Sequence, residues 1–308
     1  MRRVAAPPSA APHELLTKSA LLRRLELEIS RRLDGRLSGD YVSAAMGPGT
    51  ERAGARKYEP GDDARRIDWS LTARSLDAHV RTTEADRELD TTVIVDRSPS
   101  LDFGTARREK REVVLATLAA FGILTGRSGN RLSVVVAGGD RLVQLPARQS
   151  RTGTLAAMSV VYDTPRREER PQPDADLAAA LAQVARTKRQ RGQVVVASDF
   201  LDRSDWAAGL RRLSLHHAVI AVHVTDPREL ELAPVGMLAV RDVETGRQLH
   251  VQTNSSVLRA RYAAAAGARQ DGIRAAIARS GARYLHLSTD RDWVLDLAQF
   301  LSRRRVQR

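Results

Sequence analysis

Cysteine is absent from the 308 residues, which excludes a disulfide framework, a thiolate zinc site and a cysteine nucleophile. Aromatic residues amount to 4% and are not interleaved with the basic runs, so the stacking platform on which single-stranded nucleic acid lies is missing. Lysine is scarce as well. Of 50 basic residues only Lys18, Lys57, Lys110 and Lys188 are lysines, the rest being arginine. No apolar run approaches the ~18–20 residues of a membrane-spanning helix; the longest, residues 113–124, is broken by Thr117 and Gly122. Residues 1–12 hold two arginines but no apolar signal-peptide core, which makes a cytoplasmic location the expectation. The phosphate-cradling G-x-x-x-x-G-K-[ST] and the hydrolase elbow G-x-S-x-G are both missing, so neither ATP hydrolysis by a P-loop nor a serine triad on that elbow is indicated.

The composition that remains, 42% hydrophobic, is enough for a packed core in one large or two modest domains. A formal charge of +13 points toward nucleic acid or an anionic surface. The positive residues are nonetheless spread along the chain, and the densest clusters, 166–170, 186–191 and 303–308, read as solvated loops, helix ends and a tail.

Along the chain, residues 1–13, rich in Ala and Pro, are expected to be disordered. Residues 14–37 carry leucines and Ile29 at mostly helical spacing, with Gly35 as a stop. Residues 39–59 read as irregular, with room for short strands, and 78–83 as a strand. After Leu89 buried strands alternate with amphipathic helices, the signature of a parallel sheet covered on both faces. Strands are predicted over 92–96, 131–137, 193–198, 217–224 and 283–287, and helices over 105–126, 151–161, 175–189, 205–214, 255–280 and 291–303. Residues 141–145 are predicted to add an antiparallel edge, and 240–251 a late hairpin. The expected architecture is a doubly wound, mostly parallel α/β sheet preceded by a helical and irregular segment. It divides into a disordered start (1–13), a packed N-terminal segment (14–90), the main domain (91–303) and a basic tail (304–308).

One loop carries chemistry. Asp96-Arg97-Ser98-Pro99-Ser100 ends the apolar run from Thr92 to Val95 and offers a carboxylate and two hydroxyls on one tight turn. Such a set suits a hard divalent cation such as Mg2+, although Asp and Ser are equally good helix caps. Ligands of a doubly wound sheet gather at the carboxyl ends of its strands. Two further acidic loops reach that edge: Asp174-Ala175-Asp176 ahead of a helix, and Ser198-Asp199 at the end of another strand.

These residues resemble the von Willebrand factor A fold, whose metal-ion-dependent adhesion site is written D-x-S-x-S, then Thr, then Asp on a third loop. Asp96, Ser98, Ser100 and Asp199 match. Ala175 stands where the Thr belongs, with Asp174 beside it able to supply an oxygen directly or through water. Upstream, Arg56-Lys57-Tyr58-Glu59-Pro60-Gly61-Asp62-Asp63-Ala64-Arg65-Arg66-Ile67-Asp68-Trp69, then Thr72-Ala73-Arg74, resembles the signature of the domain-of-unknown-function-58 family. That resemblance implies a von Willebrand factor A-like fold, a Mg2+ or similar divalent site, and work beside a MoxR-type AAA+ ATPase as a non-enzymatic adaptor in the assembly or maturation of client proteins. The signature segment is expected to be pinned by ion pairs among Asp62, Asp63, Arg65, Arg66, Asp68 and Arg74, with Ile67 and Trp69 packing inward. Its functional alternative is a partner surface formed by the same charges with Trp69.

Two other functions remain open. A metal-dependent phosphoester hydrolase would draw on Asp174, Asp176 and Asp202, but no H-x-D or H-x-x-x-H pairing supplies a base; His216, His217 and His223 read as core or edge histidines. Direct nucleic-acid binding would rest on the arginine surplus alone.

Overall fold

The computed structural model describes residues 12–35, 54–59, 67–75, 77–82, 90–106, 108–138, 142–149, 151–163, 176–241 and 248–302. In chain order the elements are α1 (Pro12–Asp34), β1 (Gly54–Lys57), α2 (Trp69–Thr72), β2 (His79–Thr82), β3 (Thr91–Asp96), α3 (Lys110–Arg127), β4 (Leu132–Ala137), β5 (Val143–Arg148), α4 (Arg151–Asp163), α5 (Leu177–Thr187), β6 (Gln193–Ser198), α6 (Trp206–Ser214), β7 (Ala218–Thr225), β8 (Met237–Arg241), β9 (Gln248–Gln252), α7 (Ser256–Arg279), β10 (Arg283–Ser288) and α8 (Trp293–Ser302).

Six strands form one sheet in the order β10-β7-β6-β3-β4-β5. Five run parallel and only β5, paired to β4, is antiparallel. The cause is visible in the residues. Thr-Thr-Val-Ile-Val in β3 and Val-Val-Val-Ala in β6 are β-branched, nearly continuous apolar runs, the composition of strands buried on both faces. Alternation divides each strand between two cores. Val93, Val95, Val134, Val136, Val195 and Ala197 face α3, α4 and α8, with Leu22, Ile29 and Leu33 of α1 joining that layer. Ile94, Val135, Val194 and Val196 face Leu177 and Leu181 of α5, Leu210 of α6 and Ile277 of α7.

Ion pairs tie α1 to the layer beneath it. Arg151 Nε donates to both carboxylate oxygens of Glu26 at 2.6 and 2.8 Å, and Arg32 meets Asp292 at 2.6 Å. α1 begins at Pro12, inside the stretch expected to be disordered; proline's fixed φ and missing N–H suit the first turn of a helix. The predicted late hairpin is present as β8 and β9, antiparallel and paired only to each other among the described strands.

β1 and β2 form a separate antiparallel pair, and Ile67 bridges to Val80. Here one expectation fails. Trp69 does not share the inward face with half-buried Ile67, for it is 69% exposed at the start of α2. The extended backbone ends at Asp68, whose carboxylate accepts from Ser70 N, Leu71 N and Ser70 Oγ and so opens a helical turn. The two-residue periodicity of a strand therefore stops one residue before Trp69.

Candidate functional site

β3 is flanked by β4 on one side and β6 on the other, so the chain's direction of travel across the sheet reverses between β3 and β6. The carboxyl edge at that reversal is where an open α/β sheet leaves a crevice. Asp96 and Ser198 end the two strands there. Asp96 is fully buried: its Oδ1 accepts from the Ser98 backbone N–H at 2.7 Å, and its Oδ2 from the Ser198 hydroxyl at 2.5 Å. The Ser98 and Ser100 hydroxyls lie 3.0 Å apart, and Ser100 also bonds the Asp199 carboxylate. All four residues predicted as metal ligands in the first and third loops are thus brought into one hydrogen-bonded cluster. Asp174, the weaker candidate, and Ala175 lie outside the described residues.

Local geometry fixes this arrangement. Phe200 follows Asp199 with φ of 54°, a left-handed conformation that bulky residues seldom adopt. It is held by its N–H on Ser198 Oγ at 2.8 Å and by its ring against Trp206 at 5.0 Å. Gly138, with φ of 151°, closes over the first loop, where a Cβ would fall 2.8 Å from Arg97 Cβ. Arg97 itself is buried and lies 3.7 Å from Asp102, which also pairs with Arg111 at 3.1 Å.

A residue that sequence reasoning passed over sits at the centre. Lys110, the first residue of α3, is fully buried; its Nζ donates to Asp199 Oδ2 at 2.8 Å and closely to Glu229 Oε1. Glu229 comes from a short helical turn, Pro227–Glu229, just beyond β7. The loop that delivers Lys110 is clamped by buried Asp226, which accepts from Thr105 N at 2.8 Å, Thr105 Oγ1 at 2.6 Å and Thr289 Oγ1 at 2.6 Å. The sequence pattern placed the helix start near Thr105, so nothing local marked Lys110 as its first residue. A cation at a helix N-terminus opposes the helix dipole, so its presence there calls for a carboxylate partner.

The electrostatics follow from burial. Burial, and then the neighbouring charge of Asp199, raise the Asp96 carboxyl to about 7 against the opposing bonds from Ser198 and Ser98. Burial also pushes Asp199 upward, but the Lys110 ammonium, with Ser100 and the Leu201 N–H, outweighs it and holds that carboxyl below the usual range. For Lys110 burial acts downward and the two carboxylates overcome it, so it stays an ammonium. Glu229, dominated by burial, sits above its ordinary value. Beside Asp199 lies His223, buried and bonded through Nδ1 to the Tyr284 hydroxyl at 2.9 Å. Burial, then His286, lower it to about 4. It is the core histidine the sequence suggested.

Two carboxylates and two hydroxyls make an all-oxygen set of the kind a hard cation takes. When Asp96 is ionised, it, Asp199 and Glu229 set three negative charges against one ammonium, a state that burial first and the Asp199 charge second disfavour for Asp96 when no further cation is bound. The residues therefore fit a divalent cation. Among the described residues no group of three or more His, Asp or Glu side chains could hold a metal, so the serine hydroxyls are needed to complete the set.

The remaining predicted residues divide. Asp62, Asp63, Arg65 and Arg66 lie outside the described residues; Asp68 caps α2, and Arg74 and Trp69 are exposed. Of the three spare acids of the hydrolase reading, the two among the described residues are used structurally. Asp176 caps α5 through Ala179 N at 2.7 Å. Asp202 accepts from Leu177 N at 2.7 Å and Ser204 Oγ at 2.6 Å.

Residues 54–272 match the family described as "Protein of unknown function DUF58". The chain belongs to this family. The uncharacterized protein Rv1480 of Mycobacterium tuberculosis (strain ATCC 25618 / H37Rv) is 40% identical to this chain over 289 residues, covering 93% of this chain and 90% of that protein. The uncharacterized protein MAV169 of Mycobacterium avium is 35% identical over 164 residues, 53% of this chain and 95% of its own length. Among solved structures, BatB from Bacteroides thetaiotaomicron is similar at 13% identity and a TM-score of 0.46, over 71% of this chain and 100% of that chain. A von Willebrand factor type A protein from Catenulispora acidiphila is similar at 14% identity and a TM-score of 0.37, over 71% of this chain and 42% of that chain.

Proposed function

We propose that this DUF58 protein is a non-enzymatic adaptor that docks protein partners at the carboxyl edge of its sheet, through a divalent cation held by Asp96, Ser98, Ser100 and Asp199. The observation that carries the reading is the meeting of those four oxygen-bearing residues, from two separate loops, at the reversal between β3 and β6. A carboxylate from the partner would supply the negative ligand that the serines do not. In this reading Asp96 and Asp199 bind, the two hydroxyls orient, and the sheet edge supplies rigidity. The partner proposed is an AAA+ ATPase of the MoxR type, as the family resemblance implies, with client proteins beyond it; Mg2+ is the cation proposed.

The test is a pull-down from a lysate of the source organism, with Mg2+ and with chelator, comparing wild type with Asp96→Ala. The expected result is a retained AAA+ ATPase that is lost on chelation and lost with Asp96→Ala, while circular dichroism of the variant is unchanged. Retention of the same ATPase under all four conditions would sink the metal-dependent version.

A further inference from the structure

Lys110 is an exception three times over. It is one of only four lysines among 50 basic residues, it is a cation at the start of a helix, and it has no exposed surface. Burying an ammonium costs several kcal/mol unless its partners are well placed, and the helix dipole adds to that cost. What offsets both is a shared position between two carboxylates, Asp199 at 2.8 Å and Glu229 closer still. One of these is a candidate metal ligand and the other is not. A compact ammonium on a flexible stem can shift its weight between two acceptors in a way a planar guanidinium cannot.

The placement matters because Asp199 has finite capacity. Its Oδ2 is engaged by Lys110 and its Oδ1 accepts the Leu201 N–H at 3.2 Å, while Ser100 bonds the same carboxylate. A divalent ion recruiting Asp199 must therefore compete with the ammonium already there. Glu229 gives that ammonium somewhere to stay. Gly104 helps keep the lysine in range, since a Cβ at that position would fall 2.4 Å from Arg108 O and 2.5 Å from Glu109 Cα. The chain can pack so tightly against the start of α3 only where a side chain is absent.

We infer that Lys110 is a tethered counter-cation that competes with a divalent ion for Asp199, holding the site together without metal and lowering its metal affinity, while Glu229 receives the ammonium when metal binds. The inference rests on Asp96, Ser98, Ser100 and Asp199 being the metal's donors. It adds a device that sets how much free metal the site needs, and it makes the metal-free protein a folded state.

The test uses the full chain, stripped with chelator and dialysed, with Mg2+ as the probe. Calorimetric titration and thermal melting are read for wild type, Lys110→Met and Glu229→Gln. Lys110→Met is expected to melt lower than wild type without metal, to recover most of the difference in saturating Mg2+, and to bind Mg2+ roughly tenfold or more tightly, the scale of one close charge pair. Wild type is expected to stay folded without Mg2+ and to gain less in melting temperature than Lys110→Met when Mg2+ is saturating. Glu229→Gln is expected to shift affinity the other way, because Lys110 is left with Asp199 alone. Equal or weaker Mg2+ binding by Lys110→Met overturns the inference while leaving the metal reading in place. Binding by neither wild type nor Lys110→Met removes both. Binding by Lys110→Met alone supports the lysine's role and overturns metal-dependent docking in the natural protein. Should Lys110→Met fail to fold, Glu229→Gln decides, and an affinity equal to or above wild type overturns the inference.

Discussion

Trp69 heads a single helical turn with most of its ring in water, next to half-buried Ile67 and exposed Leu71. A large aromatic left exposed on a capped turn has the character of an interface anchor. Its removal should cost the fold little. Trp69→Ala is expected to change unfolding free energy by no more than ~0.5 kcal/mol, as surface substitutions do. It is expected to weaken capture of the partner by about 2 kcal/mol, the scale of an interface hot spot; urea denaturation and a binding titration read the two effects separately, and loss of stability without loss of binding would return Trp69 to a structural role. Legibility at this scale depended on sequence distance. Asp96, Ser98 and Ser100 could be read because they are neighbours on one turn, and Asp199 because it ends a second apolar run. Lys110 meets Asp199 across 89 positions and Glu229 across 119, and no local pattern announces such a pairing. Asp68 is legible in part: its carboxylate caps the next turn through Ser70 N and Leu71 N, while Arg65 and Arg66, expected to pair with it, lie outside the described residues.

At the scale of elements, the five parallel strands were legible almost to the residue, because long β-branched runs have few other uses. Helix α3 was not. Its apolar periodicity suggested a start near Thr105, yet the helix begins at Lys110. Thr105 is captured by Asp226, and the true start is set by a capping box in which Glu109 N–H donates to Glu112 Oε2 at 3.3 Å. Periodicity reports which face is buried, and it says little about where tertiary bonds pull the chain out of the helix. Gly104 is the hinge of this displaced start. Gly104→Ala must move backbone, and is expected to destabilise the protein by roughly 1–3 kcal/mol, the cost of overpacking. Gly126, in the last turn of the same helix, has nothing within 4 Å of where a Cβ would stand. Gly126→Ala is expected to stabilise by about 0.5–1 kcal/mol through helix propensity. Chemical denaturation of the two variants separates close packing from backbone entropy, and equal effects would contradict the assignment.

For the molecule as a whole, the layered plan followed from alternating strands and helices, but the polar row across its carboxyl edge did not. Ser198 pairs in register with His223, and His223 with His286, so titratable groups run inward from the edge strand β10 toward the Asp96 end of β3. Their shifts oppose one another in their effect on folding. The folded His223 does not take a proton until pH falls to about 4, whereas an unfolded histidine takes one near 6.5. Its contribution is therefore complete above pH 6.5 and is lost as pH falls toward 4, by an amount on the order of 3 kcal/mol. His286, lowered chiefly by burial and then by Arg291, acts in the same direction. Asp96 acts in reverse. Its folded carboxyl keeps a proton up to about 7 while the unfolded one releases it near 3.8, so its contribution is complete below pH 3.8 and is lost as pH rises through 7. In metal-free protein the Asp96 contribution should offset part of the imidazoles' trend between pH 4 and 7. Asp96→Asn, neutral throughout, removes this opposing contribution, and its stability is expected to climb more steeply than that of wild type from pH 4 to 6.5. Urea midpoints for both proteins across that range check the sign as well as the size. A parallel pair of profiles would mean that Asp96 carries no extra proton in the folded state, and that its burial and the Asp199 charge do not raise its carboxyl to about 7.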